Sequence, residues 1–177
     1  MSIETAFPNT VVSTQDPAAL IAVEIWSDPG ATTARLAAAL GGPLPDIGAA
    51  TDLTEAWRAI RIEPTVWWLS GPLADLDDAL ARAAAAVAGD GAVADLSGAF
   101  ERLRIAGPNW RAALMIGGVF DAESPGFTVG STVGTILHHV AVRYDVIAEG
   151  AVHVFVAPSY AADLRHFLHE AATRGAR

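Results

Sequence analysis

Val66-Trp67-Trp68-Leu69-Ser70-Gly71-Pro72 is a short apolar run closed by Gly-Pro. Aromatic and β-branched residues bounded by a turn signal read as a strand, and Pro presets the first turn of whatever helix follows. Leu73, Leu76, Leu80 and Ala84 then recur at spacings of three and four, which predicts a helix with one apolar face. Asp75, Asp77 and Asp78 cluster in its first turns, where the helix dipole favours negative charge. Val152 to Pro158 repeats this unit at the same length, again before a helix, here carrying Leu164 and Leu168. Two strand–Pro–helix units in one chain predict two similar halves.

The rest of each half falls into place around these units. Leu20–Trp26 reads as a strand, Asp28-Pro29-Gly30 as a turn, and Ala31–Leu40 as a helix stopped by Gly41-Gly42-Pro43. Pro43 to Thr54 reads as loop and Glu55–Ile62 as the strand that pairs with Thr65–Ser70. Two strands follow, Ala92–Leu96 and Phe100–Ala106. Gly107-Pro108 opens a short helix over Asn109–Ile116, and Gly117 to Gly130 is loop. A long strand over Val133–Ala148, a second over Ala151–Ala157 and a helix over Ser159–Thr173 complete the chain. The expectation is an α+β fold of two ferredoxin-like βαββα halves, about 18–96 and 97–177, with antiparallel-rich sheets and helices on one side. Residues 1–17 are expected to be an arm.

Composition narrows the chemistry. The chain has 177 residues, enough for one domain with a sizeable core. Its mean hydropathy is +0.35, but the longest strictly apolar run is Ala83–Ala88, well short of the roughly 20 residues a spanning helix needs. The first ten residues carry neither a basic segment nor an apolar core, so a cytoplasmic location is expected. There is no Cys and no Lys. That excludes thiolate chemistry, disulfides, a cysteinyl-flavin link, Schiff bases and a phosphate loop with its lysine. The net charge is −9, and residues 1–90 carry 12 acids against 4 Arg. An acidic, lysine-free chain is a poor nucleic-acid ligand. Its acidic half reads as a solvated surface or as a face that meets a basic partner.

Ala94-Asp95-Leu96-Ser97, the strand Arg102-Leu103-Arg104-Ile105-Ala106 with Gly107-Pro108, and then Asp121, Phe127 and Gly130 follow one another at characteristic offsets. In this order they resemble the gamma-subunit family of heterotetrameric sarcosine oxidase. Pro64 with Trp67-Trp68-Leu69, and Val156-Ala157-Pro158-Ser159-Tyr160, resemble two more of its segments. The resemblance runs from about Leu20 to Ala172. Gly117-Gly118-Val119 departs from the family's usual Gly-Cys-Pro.

That resemblance implies a fold similar to the folate-binding domain of aminomethyltransferases, including the glycine-cleavage T protein. It implies a non-catalytic subunit of a complex that oxidatively demethylates sarcosine to glycine, with tetrahydrofolate as one-carbon acceptor. Alpha, beta and delta subunits would be its partners, and FAD, FMN, NAD and tetrahydrofolate would be held by the complex and not by this chain. Two alternatives stand beside it: a stand-alone folate-binding, aminomethyltransferase-like protein, and a homo-oligomeric scaffold without ligand.

Few residues are candidates for chemistry. Asp121 matches a loop position at which an acidic residue meets folate in the related transferases. Read for itself, it pins the loop before Ser124-Pro125-Gly126. His138 and His139, adjacent on the expected long strand, point to opposite faces, His138 inward, with His153 near His139. His166 and His169 lie three apart on the last helix, a spacing that suits a metal but lacks a third ligand. Gly130-Ser131-Thr132-Val133-Gly134 has no Lys and leads into a strand, so it is no phosphate cradle. Neither Gly-x-Ser-x-Gly nor Gly-x-Gly-x-x-Gly occurs. Trp67 and Trp68 face opposite ways on one strand, and the outward ring is a candidate interface anchor. No catalytic residue and no metal site is assigned.

Overall fold

A β-strand satisfies its backbone groups through neighbouring strands, and all the strand pairings among the described residues are antiparallel. A computed structural model describes residues 9–174, with side chains to residue 170. Ten strands and four α-helices are assigned over those residues. The chain divides into two units. Pro17–Gly98 makes an inserted unit, and the chain to Asp16 and from Ala99 makes a flanking unit.

The inserted unit contains β2 (Ala19–Ile25), α1 (Pro29–Leu40), β3 (Ala50–Asp52), β4 (Arg58–Glu63), β5 (Val66–Gly71), α2 (Leu76–Val87) and β6 (Gly91–Asp95). Its sheet runs β3-β4-β5-β2-β6. Alternate residues of β2 (Ala19, Ile21, Val23, Ile25) join Ala59, Trp67 and Leu69 against Leu36 and Leu40 of α1 and Ala79, Ala83 and Val87 of α2. Asp28 caps α1 by accepting from the Ala31 N–H (3.4 Å), and Gly41 closes it in the left-handed region (φ 86°). Arg35 Nε donates to Ala86 O (3.1 Å) and Arg82 Nη1 to Ala39 O (3.2 Å), so each helix ties a carbonyl of the other.

The flanking unit contains β1 (Val11–Thr14), β7 (Glu101–Ala106), α3 (Trp110–Met115), β8 (Thr132–Leu137), β9 (Val140–Ala148), β10 (Ala151–Val156) and α4 (Pro158–Arg174). Its sheet runs β1-β7-β10-β9-β8. Leu103, Ile105, Tyr144, Val146, Val152 and Val154 meet Trp110 and Leu114 of α3 and Leu164 and Leu168 of α4. Among the described residues no helix is long and apolar enough to cross a membrane.

The structure has the α+β class and antiparallel sheets that the sequence predicts, but each unit holds five strands where βαββα has three: β6 and β1 add one each, and each half has one more that the sequence did not show. The first extra strand is β3, three residues inside the expected Pro43–Thr54 loop and too short to show a period. The second arises because Val133–Ala148 is two strands, joined at His138-His139. Within the expected arm, Val11–Thr14 is an edge strand on β7; residues 1–8 lie outside the described residues. The helix after Pro72 is also turned from its expected face. Residues 73–75 form a 3-10 turn that leaves Leu73 exposed, and Ala79, Ala83 and Ala86 are buried where Ala84 was expected.

Candidate functional site

The loop between α3 and β8 carries most of the candidate chemistry, and its shape follows from aromatic packing. Phe127 is buried beneath it, edge-on to Phe120 (4.9 Å between centroids), with Trp110 at 6.0 Å and Tyr144 at 6.3 Å. Arg111 lies across Trp110 (4.3 Å) and reaches over to donate from Nη1 to Ala122 O (2.6 Å). A guanidinium on an indole face is attracted by the ring quadrupole and keeps its N–H groups free for a carbonyl. Trp110 Nε1 donates to Glu149 O (2.9 Å), and the Ala122 N–H donates to Met115 Sδ (3.3 Å). The loop is thus clamped from both ends.

Asp121 is exposed in this loop. Its Oδ1 accepts the Glu123 N–H (3.0 Å), and its carbonyl accepts the Ser124 N–H (3.3 Å). This is an Asx turn, the loop-pinning arrangement. In the same loop Phe120 packs against Phe127 and the core of the flanking unit. Tyr144 is fully buried and its hydroxyl has no partner among the described residues. Burial pushes its pKa well above the usual phenol range, so it stays a neutral phenol.

The histidines do not sit as expected. His138 and His139 form the two-residue turn between β8 and β9, both exposed and both with positive φ (48° and 67°). Two consecutive left-handed residues are the pattern of a type I′ turn, which favours Asn-Gly. His138 is therefore not inward. Its ring stacks on Phe167 of α4 (3.8 Å, 11°), and its N–H donates to Gly117 O (2.9 Å). His153 lies in β10 with Arg104 and Asp145 as its cross-strand neighbours, away from the turn that holds His139. His166 pairs with Glu170 (3.5 Å), and no group of three or more metal-ligating side chains occurs among the described residues.

One cluster escaped the sequence reading. Arg102 and Arg104 of β7, His153 of β10, and Arg143 and Asp145 of β9 share the sheet face opposite the helices. Burial pulls the Arg102 pKa below its ordinary value, and the charge of the buried Asp145 opposes that shift by favouring the cation. The signal was Arg102-Leu103-Arg104-Ile105 itself, whose strict alternation marks a charged face. Trp67 and Trp68 face opposite ways, as alternation requires. Yet both are buried (2% and 8% exposed), so neither offers the exposed ring expected of an interface anchor. Both faces of β5 are covered: Trp67 and Leu69 on the helix side, Trp68 and Ser70 on the other.

No family model and no curated protein sequence matches the chain at a significant level. Solved structures do. A chain of the heterotetrameric sarcosine oxidase from Corynebacterium sp. U-96, in complex with pyrrole 2-carboxylate, superposes with a TM-score of 0.85. It is 20% identical, and the match covers 99% of this chain and 90% of that one. The glycine cleavage system aminomethyltransferase T from Bartonella henselae superposes with a TM-score of 0.65 at 16% identity. There the match covers 92% of this chain but only 46% of that one, so the chain spans about half of the transferase. The regulatory subunit of aspartate kinase from Thermus thermophilus is a more distant likeness (TM-score 0.53, 14% identity, 91% and 97% covered). The chain shares its fold with the first two proteins.

Proposed function

We propose that this chain is the gamma-type, non-catalytic subunit of a heterotetrameric sarcosine oxidase-like complex. In that complex, sarcosine is oxidatively demethylated to glycine and tetrahydrofolate accepts the one-carbon unit. FAD, FMN, NAD and tetrahydrofolate belong to the alpha, beta and delta partners. The observation that carries the reading is the match to the sarcosine oxidase chain, over 99% of this chain and 90% of that one at a TM-score of 0.85. The loop of Asp121 supports the same reading. Its carboxylate accepts the Glu123 N–H, which pins the loop, and Phe120 and Phe127 pack edge-on within the same loop.

Co-expression with the flavoprotein subunits of such a complex tests the proposal. A stoichiometric assembly should elute as one species on size exclusion. Separate elution at micromolar concentration sinks it. The fold shared with the aminomethyltransferase supports a second reading, a stand-alone folate binder with Asp121 near the ligand. Calorimetry of the isolated chain with tetrahydrofolate decides that one: neither heat nor a thermal shift eliminates it.

A further inference from the structure

Trp26 stands just past the end of β2 and is 61% exposed; the other four tryptophans are buried. The Ile25 N–H donates to Thr65 O (2.9 Å), and the Trp26 and Ser27 N–H groups donate to Asp90 O (2.9 and 3.1 Å). The backbone at Trp26 is therefore held between the β4–β5 turn (64–65) and the turn before β6. Ile47, also exposed, stands at the same end of the sheet, in the loop that leads into β3.

The charge around this ring is one-sided. The inserted unit holds 11 acids and 4 Arg. All four arginines already have an aspartate: Arg35 with Asp90, Arg58 with Asp52, Arg61 with Asp46 and Arg82 with Asp78. Glu24, Asp28 and Glu63 are exposed and have no cationic partner among the described residues. Glu24 and Asp28 lie two residues to either side of Trp26, and Glu63 is the last residue of β4, at the edge of the β4–β5 turn. The matching strand–helix connection of the flanking unit is complete in itself, because Trp110 is buried and Arg111 lies on its ring (4.3 Å).

We infer that this end of the inserted unit is a docking surface for a cationic segment of a partner polypeptide, with Trp26 as its anchor. A guanidinium or ammonium group of the partner stacks on the indole, and Glu24, Asp28 and Glu63 supply the opposite charge. An aromatic ring with carboxylates around it favours such a group twice over, through the ring quadrupole and through Coulomb attraction. The identification of that partner as a subunit of the oxidase complex rests on the function proposed above. The surface itself does not.

Two measurements separate these claims. Calorimetry of the isolated chain with an octa-arginine peptide probes the surface alone. Trp26→Ala, and separately Glu24→Gln with Glu63→Gln, should each weaken binding by at least about fivefold. Asp75→Asn with Asp77→Asn, which removes equal charge from the start of α2, should leave it nearly unchanged. Equal loss in both charge pairs together with no effect of Trp26→Ala means the peptide reads only net charge, and overturns the inference. In co-expression with the flavoprotein subunits, Trp26→Ala should loosen the assembly by about tenfold or more without lowering the melting temperature of the chain. Wild-type assembly matched by the variant overturns the docking surface and leaves the proposed function standing. Failure of the wild type to assemble overturns the proposed function, and the peptide measurement then decides the surface by itself.

Discussion

The two units share one strand order but finish their sheets differently. In the inserted unit the strand beside β2 is β6, which follows α2 directly in sequence. In the flanking unit the corresponding place beside β7 is taken by β1, which comes from the other end of the chain. The units differ again at their strand–helix connections. The flanking unit buries Trp110 and covers it with Arg111, whereas the inserted unit leaves Trp26 exposed. They differ a third time at the hairpin that follows the first helix. Between β8 and β9 it is a two-residue turn. Between β3 and β4 it is a wider loop in which Thr54 Oγ1 accepts the Ala56 and Trp57 N–H groups (3.2 and 3.1 Å). The same arrangement of elements can thus be closed on itself in one unit and left open in the other.

The largest expected effect separates the two tryptophans. Trp110→Ala empties a site lined by Phe127 and Leu114 and releases Arg111, and should cost about 3–5 kcal/mol in denaturant unfolding. Trp26→Ala removes an exposed ring and should stay within about 0.5 kcal/mol. If the two variants lose similar stability, the contrast between a closed and an open connection collapses.

A smaller effect belongs to the tight hairpin. Replacing His138-His139 by Asn-Gly puts the favoured residues into a two-residue turn whose φ values are both positive, and should stabilise the chain by about 1 kcal/mol. The stack of His138 on Phe167 is lost in the exchange. A decrease in the denaturation midpoint means that this stack outweighs the backbone strain. The same turn explains why the hairpin was illegible in the sequence. With His138-His139 and no Asn, Gly or Pro at the turn itself, and with apolar residues on either side, 133–148 reads as one strand. The strand–Pro–helix units, by contrast, were legible because Pro72 and Pro158 punctuate runs with clear apolar character. Burial of both Trp67 and Trp68 was not legible. Alternation says which face a residue takes, and nothing about whether that face is covered. The open ring at Trp26 was missed for the same reason, since the sequence places it at a strand end without showing that nothing covers it.

Acid should distinguish the units as well. The hydrogen bond from Arg35 (2.6 Å) leads the interactions that hold the Asp90 carboxyl below the usual range, and the Ser97 hydroxyl and N–H do the same for Asp95. Both carboxylates belong to the inserted unit. A carboxyl depressed in the folded state contributes stability that is present above its unfolded value, near 3.8, and is lost as the pH falls through the lower folded value. Hydrogen exchange followed from pH 5 down to pH 3 should therefore show β6 and the start of α1 opening before β9 and β10. Asp90→Asn should flatten that dependence at α1. Equal loosening of both units would mean that neither carboxylate matters to the difference.

The smallest expected effect falls on the residue with the strongest claim to chemistry. Asp121→Asn keeps an Oδ1 acceptor for the Glu123 N–H and removes only the charge, at an exposed position. Stability should move by less than about 0.5 kcal/mol, because the Asx turn survives the exchange. Assembly with partner subunits should be unchanged, since the docking surface inferred above lies in the other unit. A carboxylate that orients a ligand answers differently, because losing its charge costs affinity while leaving the fold intact. Thermal unfolding of Asp121→Asn with and without tetrahydrofolate therefore reads the two roles apart. Unchanged curves in both conditions assign the residue to its loop. A ligand-dependent shift seen in the wild type and lost in the variant would assign it to folate, and would make the flanking unit the one that is left open.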